Sequence, residues 1–269
     1  MNRNLFIREL RSNAFSLIIW MLVITILITL TMAVYGTFLE NNSKVLGMMS
    51  IIPKGALQFK GISNINDLFS VLGFYTANNV IYMLLLGSIY SIVLSSNILL
   101  KEEYNKSAEF LLSWPLTRRD IFISKLSVVC LNIFILNVIT AAAGFICLEI
   151  NKREPFSINA FMILSLYTLL LNIFFGAIGL FISTLIKRAK PITAFSIALV
   201  LILYFVYTLS KITESFAKIG YISPFKYVSL DTLNPAYRLE PFSLLYFAGL
   251  SVLLTGLAYL FYKRKDIYI

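Results

Sequence analysis

Residues 14–38 read AFSLIIWMLVITILITLTMAVYGTF, and no charged side chain lies between Arg11 and Glu40. A hydrocarbon core of about 30 Å needs about 20 consecutive apolar residues in helical form, so this stretch is long enough to cross a bilayer. Its apolar run is too long for a cleaved signal peptide and lacks a small-residue cleavage pattern. The segment before it, 1–13, is basic. Leu5, Phe6 and Leu10 share one helical face there while Arg3, Arg8 and Arg11 are polar, so it is expected as an amphipathic lead-in lying in the headgroup plane.

Five more apolar stretches follow, near 74–99, 126–148, 158–186, 191–210 and 242–262. The whole chain is 59% hydrophobic and only 13% charged, with a mean hydropathy of +0.83, well above the composition of a soluble domain. The expected fold class is therefore all-α: a polytopic integral membrane protein with six transmembrane helices, read as a single domain over 1–269. No repeat of solenoid length and no low-complexity linker divides it.

Charge placement sets the expected orientation. In the six-span arrangement 14 of the 23 Lys and Arg residues fall on the side of Arg3, Lys101, Arg118, Lys187 and Lys263. By the positive-inside rule this side, with both termini, is assigned to the cytoplasm. The net charge of +10 thus reflects topology and not nucleic-acid binding. Cys130 and Cys147 share one apolar stretch, 17 positions apart on a helix, too far to bond, and read as packing residues.

The composition also removes several kinds of chemistry. Histidine is absent, and with it the commonest metal ligand and general base. The six apolar stretches contain no Asp, Glu, Lys or Arg, so no seat for a coupling ion is apparent. No phosphate-binding loop of the G-x-x-x-x-G-K-[ST] kind occurs, so the chain is expected to bind no nucleotide, cofactor or metal of its own and to perform no catalysis. An intramembrane enzyme would need carboxylates or histidines that these stretches lack.

The longest connection on the basic side, 101–125, reads KEEYNKSAEFLLSWPLTRRDIFISK. Phe110, Leu111 and Leu112 mark the apolar side of a short helix that Pro115 ends, with Glu102, Glu103 and Glu109 along its polar part. On periodicity alone this is a solvated loop with an interfacial helix. Its residues, however, resemble the segment between the second and third spans of type-2 ABC exporter permeases, approximately E-x-x-x-G-T-x-E-x-L-L-S-x-P-[VIL]-[ST]-R followed by a lysine seven positions on. Glu103 lies near the acidic start and Ser107 replaces the threonine. Glu109, Leu111, Leu112, Ser113, Pro115, Thr117, Arg118 and Lys125 match in register, while Lys106 stands where the family commonly has glycine. Two shorter echoes accompany it: Ser223, Pro224, Phe225 and Tyr227 resemble S-P-F-x-Y between the fifth and sixth spans, and 261–267, FYKRKDI, resembles an F-x-x-R-D-[IL] ending.

The resemblance implies a permease subunit that pairs with a second permease chain, identical or homologous. It implies two copies of a cytoplasmic ATPase, which carries the ATP and Mg and docks on the coupling element, for which Glu102, Glu103, Ser107, Glu109, Phe110, Leu111, Leu112, Ser113, Pro115 and Arg118 are the candidates. Export of a peptide, drug, lipid or ion across a bacterial plasma membrane would follow. Thr25, Thr29, Asn78 and Tyr204 are candidates for lining a path, although such residues also serve as interhelical hydrogen-bonding groups. Gly87, Ser91 and Ser95, and Gly179 with Ser183, recur at four-residue spacing and are expected as packing seams. The connections 40–68 and 211–241 are long enough to dip back toward the membrane, and the second is a candidate outer gate by resemblance. From the loop alone, the competing function is a non-transporting membrane scaffold or sensor that binds a cytoplasmic partner through 101–125.

Overall fold

The computed structural model describes residues 2–40, 68–104, 117–186, 192–212 and 216–264, with the backbone alone at 102–104. Six spans run up and down, long and apolar enough to cross a membrane. They are built from helices α1 (Arg3–Ala33), α2 (Tyr35–Glu40), α3 (Val71–Asn78), α4 (Val80–Tyr104), α5 (Arg118–Asn151), α6 (Ile158–Leu185), α7 (Ile192–Ile212) and α8 (Pro241–Arg264). No strand occurs among the described residues. Asn2, Lys101, Arg118 and Arg264 lie at one end, called here the basic end.

The lead-in is continuous with the first span and forms the first turns of α1. Asn2 caps that helix, its side-chain oxygen accepting from the backbone N–H of Asn4 at 3.0 Å and Leu5 at 3.1 Å. No Gly or Pro interrupts Arg3–Ala33. Leu5 and Glu9 are buried, and the Asn2 N–H donates to Ser124 Oγ at 3.0 Å, so this end packs on protein. The 31 residues of α1 rise about 46 Å, which leaves the basic turns beyond an apolar core of about 30 Å.

The second span also differs from the uninterrupted stretch that the sequence suggests. It is two helices, α3 and α4, meeting at Asn79. Thr76 Oγ1 donates to Leu72 O at 2.9 Å and Asn78 Nδ2 to Phe74 O at 3.0 Å. Side chains that bond the carbonyls of the preceding turn compete with the helical ladder. Beyond Asn79 the ladder restarts with a tighter bond, Tyr82 N–H to Asn79 O at 3.0 Å.

Polarity is arranged inside out. Phe15 is 75% and Val252 73% exposed, whereas Ser88, Asn132, Asn137, Thr168 and Asn172 are buried. Lipid is as apolar as leucine, so helices associate in it through close packing and hydrogen bonds. The two small-residue seams meet: a Cβ on Gly179 of α6 would collide with Ser95 Oγ and come within 2.6 Å of the Ile92 carbonyl oxygen of α4. One on Gly87 would lie 2.5 Å from Asn172 Nδ2. That amide donates to Asn137 Oδ1 at 3.1 Å and its oxygen accepts from Ser88 Oγ at 3.3 Å, which ties α4, α5 and α6 together.

Gly179→Leu is therefore expected to destabilise the detergent-solubilised protein by about 1–3 kcal/mol, the usual range for overpacking. Gly249→Leu, at a glycine of α8 with open space around it, should leave the thermal midpoint unchanged. Equal midpoints for the two variants would show that α4 and α6 do not pack through this seam.

Candidate functional site

The candidate coupling residues Ser107, Glu109, Phe110, Leu111, Leu112, Ser113 and Pro115 lie outside the described residues. Glu102 and Glu103 fall on the last turn of α4, where only the backbone is described. The two roots of the segment are described. Downstream, Thr117 caps α5, accepting from the Asp120 N–H at 3.1 Å while its hydroxyl donates to Asp120 Oδ2 at 2.6 Å. The next residue, Arg118, turns its guanidinium to the end of α8. Its Nη1 donates to Lys263 O at 3.1 Å and to Tyr262 O at 3.4 Å.

Helix C-termini leave their last carbonyls without intrahelical partners and carry partial negative charge, so a guanidinium there serves both needs. Phe122, one turn along α5, packs its ring 5.4 Å from Tyr259 and 5.8 Å from Tyr262. Arg118 and the 261–267 echo, far apart in sequence, are thereby joined.

Upstream, Lys101 donates to Ser12 Oγ of α1 and lies 3.7 Å from Glu9 Oε2. Glu9, 1% exposed, also accepts from Arg8 Nη2 at 2.8 Å. Lys125 of α5, likewise 1% exposed, acts electrostatically on the Glu9 carboxylate and donates to the Ile98 carbonyl of α4. Sequence reading did not single out Glu9. A signal was present: Glu9 follows Leu5 by one turn and so sits on the apolar face of a basic segment.

Two short 3₁₀ turns, Ile219–Ile222 and Pro224–Tyr227, lie between α7 and α8, and the S-P-F-x-Y echo starts at Ser223 between them and fills the second. Ser223 Oγ donates to Leu203 O at 2.7 Å. The buried Phe225 ring inserts between α6 and α7, 5.4 Å from Phe175 and 5.3 Å from Tyr204. A second tie joins this loop to the upper half of the split span, Thr76 Oγ1 to Thr232 Oγ1 at 2.9 Å.

The candidate path residues make local contacts of their own. Thr29 donates to the Thr25 carbonyl at 2.9 Å and faces Cys147 of α5, whose Sγ is 3.9 Å from its hydroxyl. Asn78 bonds within its own helix. Tyr204 lines a small cavity of about 20 Å³ with Thr76, Tyr207 and Leu230. A much larger cavity of about 670 Å³ opens at the end opposite the basic one, lined among others by Tyr35, Arg153, Glu154, Asn159, Asn234 and Tyr237. Its volume is that of a small-ligand site. No local pattern signals it, because its walls come from four separate segments. In it, burial pushes the Tyr237 hydroxyl above its ordinary pKa, and that hydroxyl donates to Ser229 O at 2.9 Å.

Residues 3–267 match the family model described as ABC-2 family transporter protein. The chain belongs to the ABC-2 transporter family. It is accordingly a multi-pass membrane permease of the ABC transporter class, and ABC-2 membership points to association with an ABC ATPase. No curated protein matches the chain.

Within this ABC-2 permease, Arg118→Ala should loosen the end of α8 by ~1 kcal/mol, the scale of a cation at a helix C-terminus. Backbone amide exchange in the last turn of α8 is expected to accelerate while that of α6 stays constant. Unchanged exchange at Tyr262–Arg264 would mean that the guanidinium holds nothing there.

Proposed function

We propose that this ABC-2 permease is the membrane subunit of an ATP-driven exporter in a bacterial plasma membrane, with its basic end in the cytoplasm. Two permease chains pair, and two cytoplasmic ATPase subunits, which carry the ATP and Mg, dock on the 103–115 elements. The chain itself breaks no bond. Closure of the ATPases moves the segments, and the spans rearrange to release substrate at the opposite end.

One observation carries this reading. Both roots of the family-like segment are fastened to the bundle, Lys101 to α1 and Arg118 to the end of α8, so a push on it is delivered to helices. A free surface loop would dissipate such a push. Two further features agree. Outward faces of α1, α7 and α8 carry large apolar side chains, among them Leu22, Phe205 and Leu245, and offer area to a second chain as well as to lipid. The cavity at the far end lies where substrate would leave.

The test uses the tagged full chain co-expressed with its ATPase subunit. The wild-type chain is expected to bring the ATPase down, and Glu109→Ala combined with Leu112→Ala to reduce capture by at least about tenfold, the effect of losing hot-spot contacts worth over 1.4 kcal/mol. In inside-out vesicles, ATP should drive substrate inward, the sense that corresponds to export. Capture that survives the double substitution would move the docking site elsewhere. A wild-type chain that binds a cytoplasmic partner but no ATPase would favour the scaffold function instead.

A further inference from the structure

We propose that Glu9 is a positioning residue for energy coupling: its buried carboxylate holds α1 against the two helices, α4 and α5, that bracket the 105–116 segment, so that displacement of the segment is passed to the first span. The proposal rests on the exporter reading above.

The geometry joins the helices on either side of the segment. Lys101, 3.7 Å from Glu9 Oε2, stands on the last turn of α4 just before it. Lys125 lies two turns into α5, acts on the same carboxylate, and donates across to Ile98 of α4. Arg8 fixes the other carboxylate oxygen at 2.8 Å. The backbone behind Glu9 is braced as well, since Asn13 Nδ2 donates to the Glu9 carbonyl at 2.7 Å. Asn2 and Ser124 complete the junction from α1 to α5, through N–H to Oγ at 3.0 Å.

Stability alone does not account for an acid at this position. The buried stripe of α1 is otherwise apolar: Leu5, Leu17, Ile24, Ile28 and Met32. Desolvating a carboxylate costs several kcal/mol, and well-packed apolar residues are often as stabilising as a buried ion pair. What the charge adds is a bond that tolerates movement. Hydrogen bonds weaken steeply with angle, whereas a Coulomb attraction falls only as 1/r, so sliding Lys101 outward by an ångström would cost about a fifth of it. Lys101 is also one-third exposed, 34%, and reaches the water edge where such sliding has room. The pair is suited to transmit a push while α4 shifts against α1.

The experiment compares wild-type, Glu9→Gln, Lys101→Met and Lys101→Arg full-length chains, each assembled with the ATPase subunit in proteoliposomes. ATP turnover is normalised to assembled complex, and the thermal midpoint is measured in parallel. Glu9→Gln and Lys101→Met should capture the ATPase as wild type does yet lose roughly tenfold in permease-dependent turnover, within the range of allosteric coupling energies. Lys101→Arg, which keeps the charge, should restore it. If both neutral variants keep wild-type turnover per complex and lose only thermal stability, the proposal is wrong and Glu9 is structural. Should Glu9→Gln fail to fold, Lys101→Met decides, because its partly exposed side chain can be neutralised without leaving a hole in the core. A wild-type chain that captures no ATPase removes the exporter reading and this proposal together, whereas a working wild-type complex with unaffected variants removes this proposal alone.

Discussion

Helices surrounded by lipid gain nothing by hiding apolar surface from one another, so the whole bundle depends on the contact between α4 and α6, where small residues let backbones approach and polar side chains close the gap. Gly179 admits Ser95 and the Ile92 carbonyl, and Gly87 admits the Asn172 amide. Three other spans are placed relative to this pair. Asn137 brings α5 onto it. Ser196 and Thr193 bring α7 onto α4 through Ser96 at 3.1 Å and Asn97 at 3.1 Å. The rings of Phe174 and Phe247 seat α8 on α6, 5.9 Å apart. In lipid the backbone has no water to bond, which is why each of these elements is helical.

With that frame fixed, the basic end becomes a set of junctions between helix ends. Arg118 reaches α8, Lys125 reaches α4, and Lys101 reaches α1. The three cations belong to the two helix ends that bracket residues 105–116. The basic charges gathered at this end thus organise its contacts. The far end is joined differently, by hydroxyls and rings: Thr76 to Thr232, Phe225 into Phe175 and Tyr204, and the Glu240 N–H to Tyr167 Oη at 3.0 Å.

What the sequence made legible was whatever depends on length and period. Six apolar stretches and the seams at Gly87, Ser95 and Gly179 could be read directly, because a span length and a four-residue repeat are local properties. The break at Asn79 was not legible, since an asparagine pair inside an apolar run is compatible with an unbroken helix until Thr76 and Asn78 choose their acceptors. That the lead-in continues into α1 and ends against α5 was not legible either, because the burial of Leu5 and the Asn2 to Ser124 bond depend on residues far along the chain. Glu9 escaped notice because its importance comes from Lys101 and Lys125, roughly a hundred residues away in the chain, and spacing within one helix cannot report that.

The inverted polarity of the bundle bears on how such a sequence can change over time. On the outside, at Phe134, Ile146 or Met162, lipid asks only for an apolar side chain, and one serves nearly as well as another. Inside, at Ser88, Asn137 or Asn172, each hydroxyl or amide answers a particular partner. Drift should therefore be fastest among the greasy residues and slowest among the small and polar ones, the reverse of the pattern in a water-soluble protein. A descendant of this chain could replace most of its lipid-facing surface and keep its architecture through a few serines, glycines and asparagines.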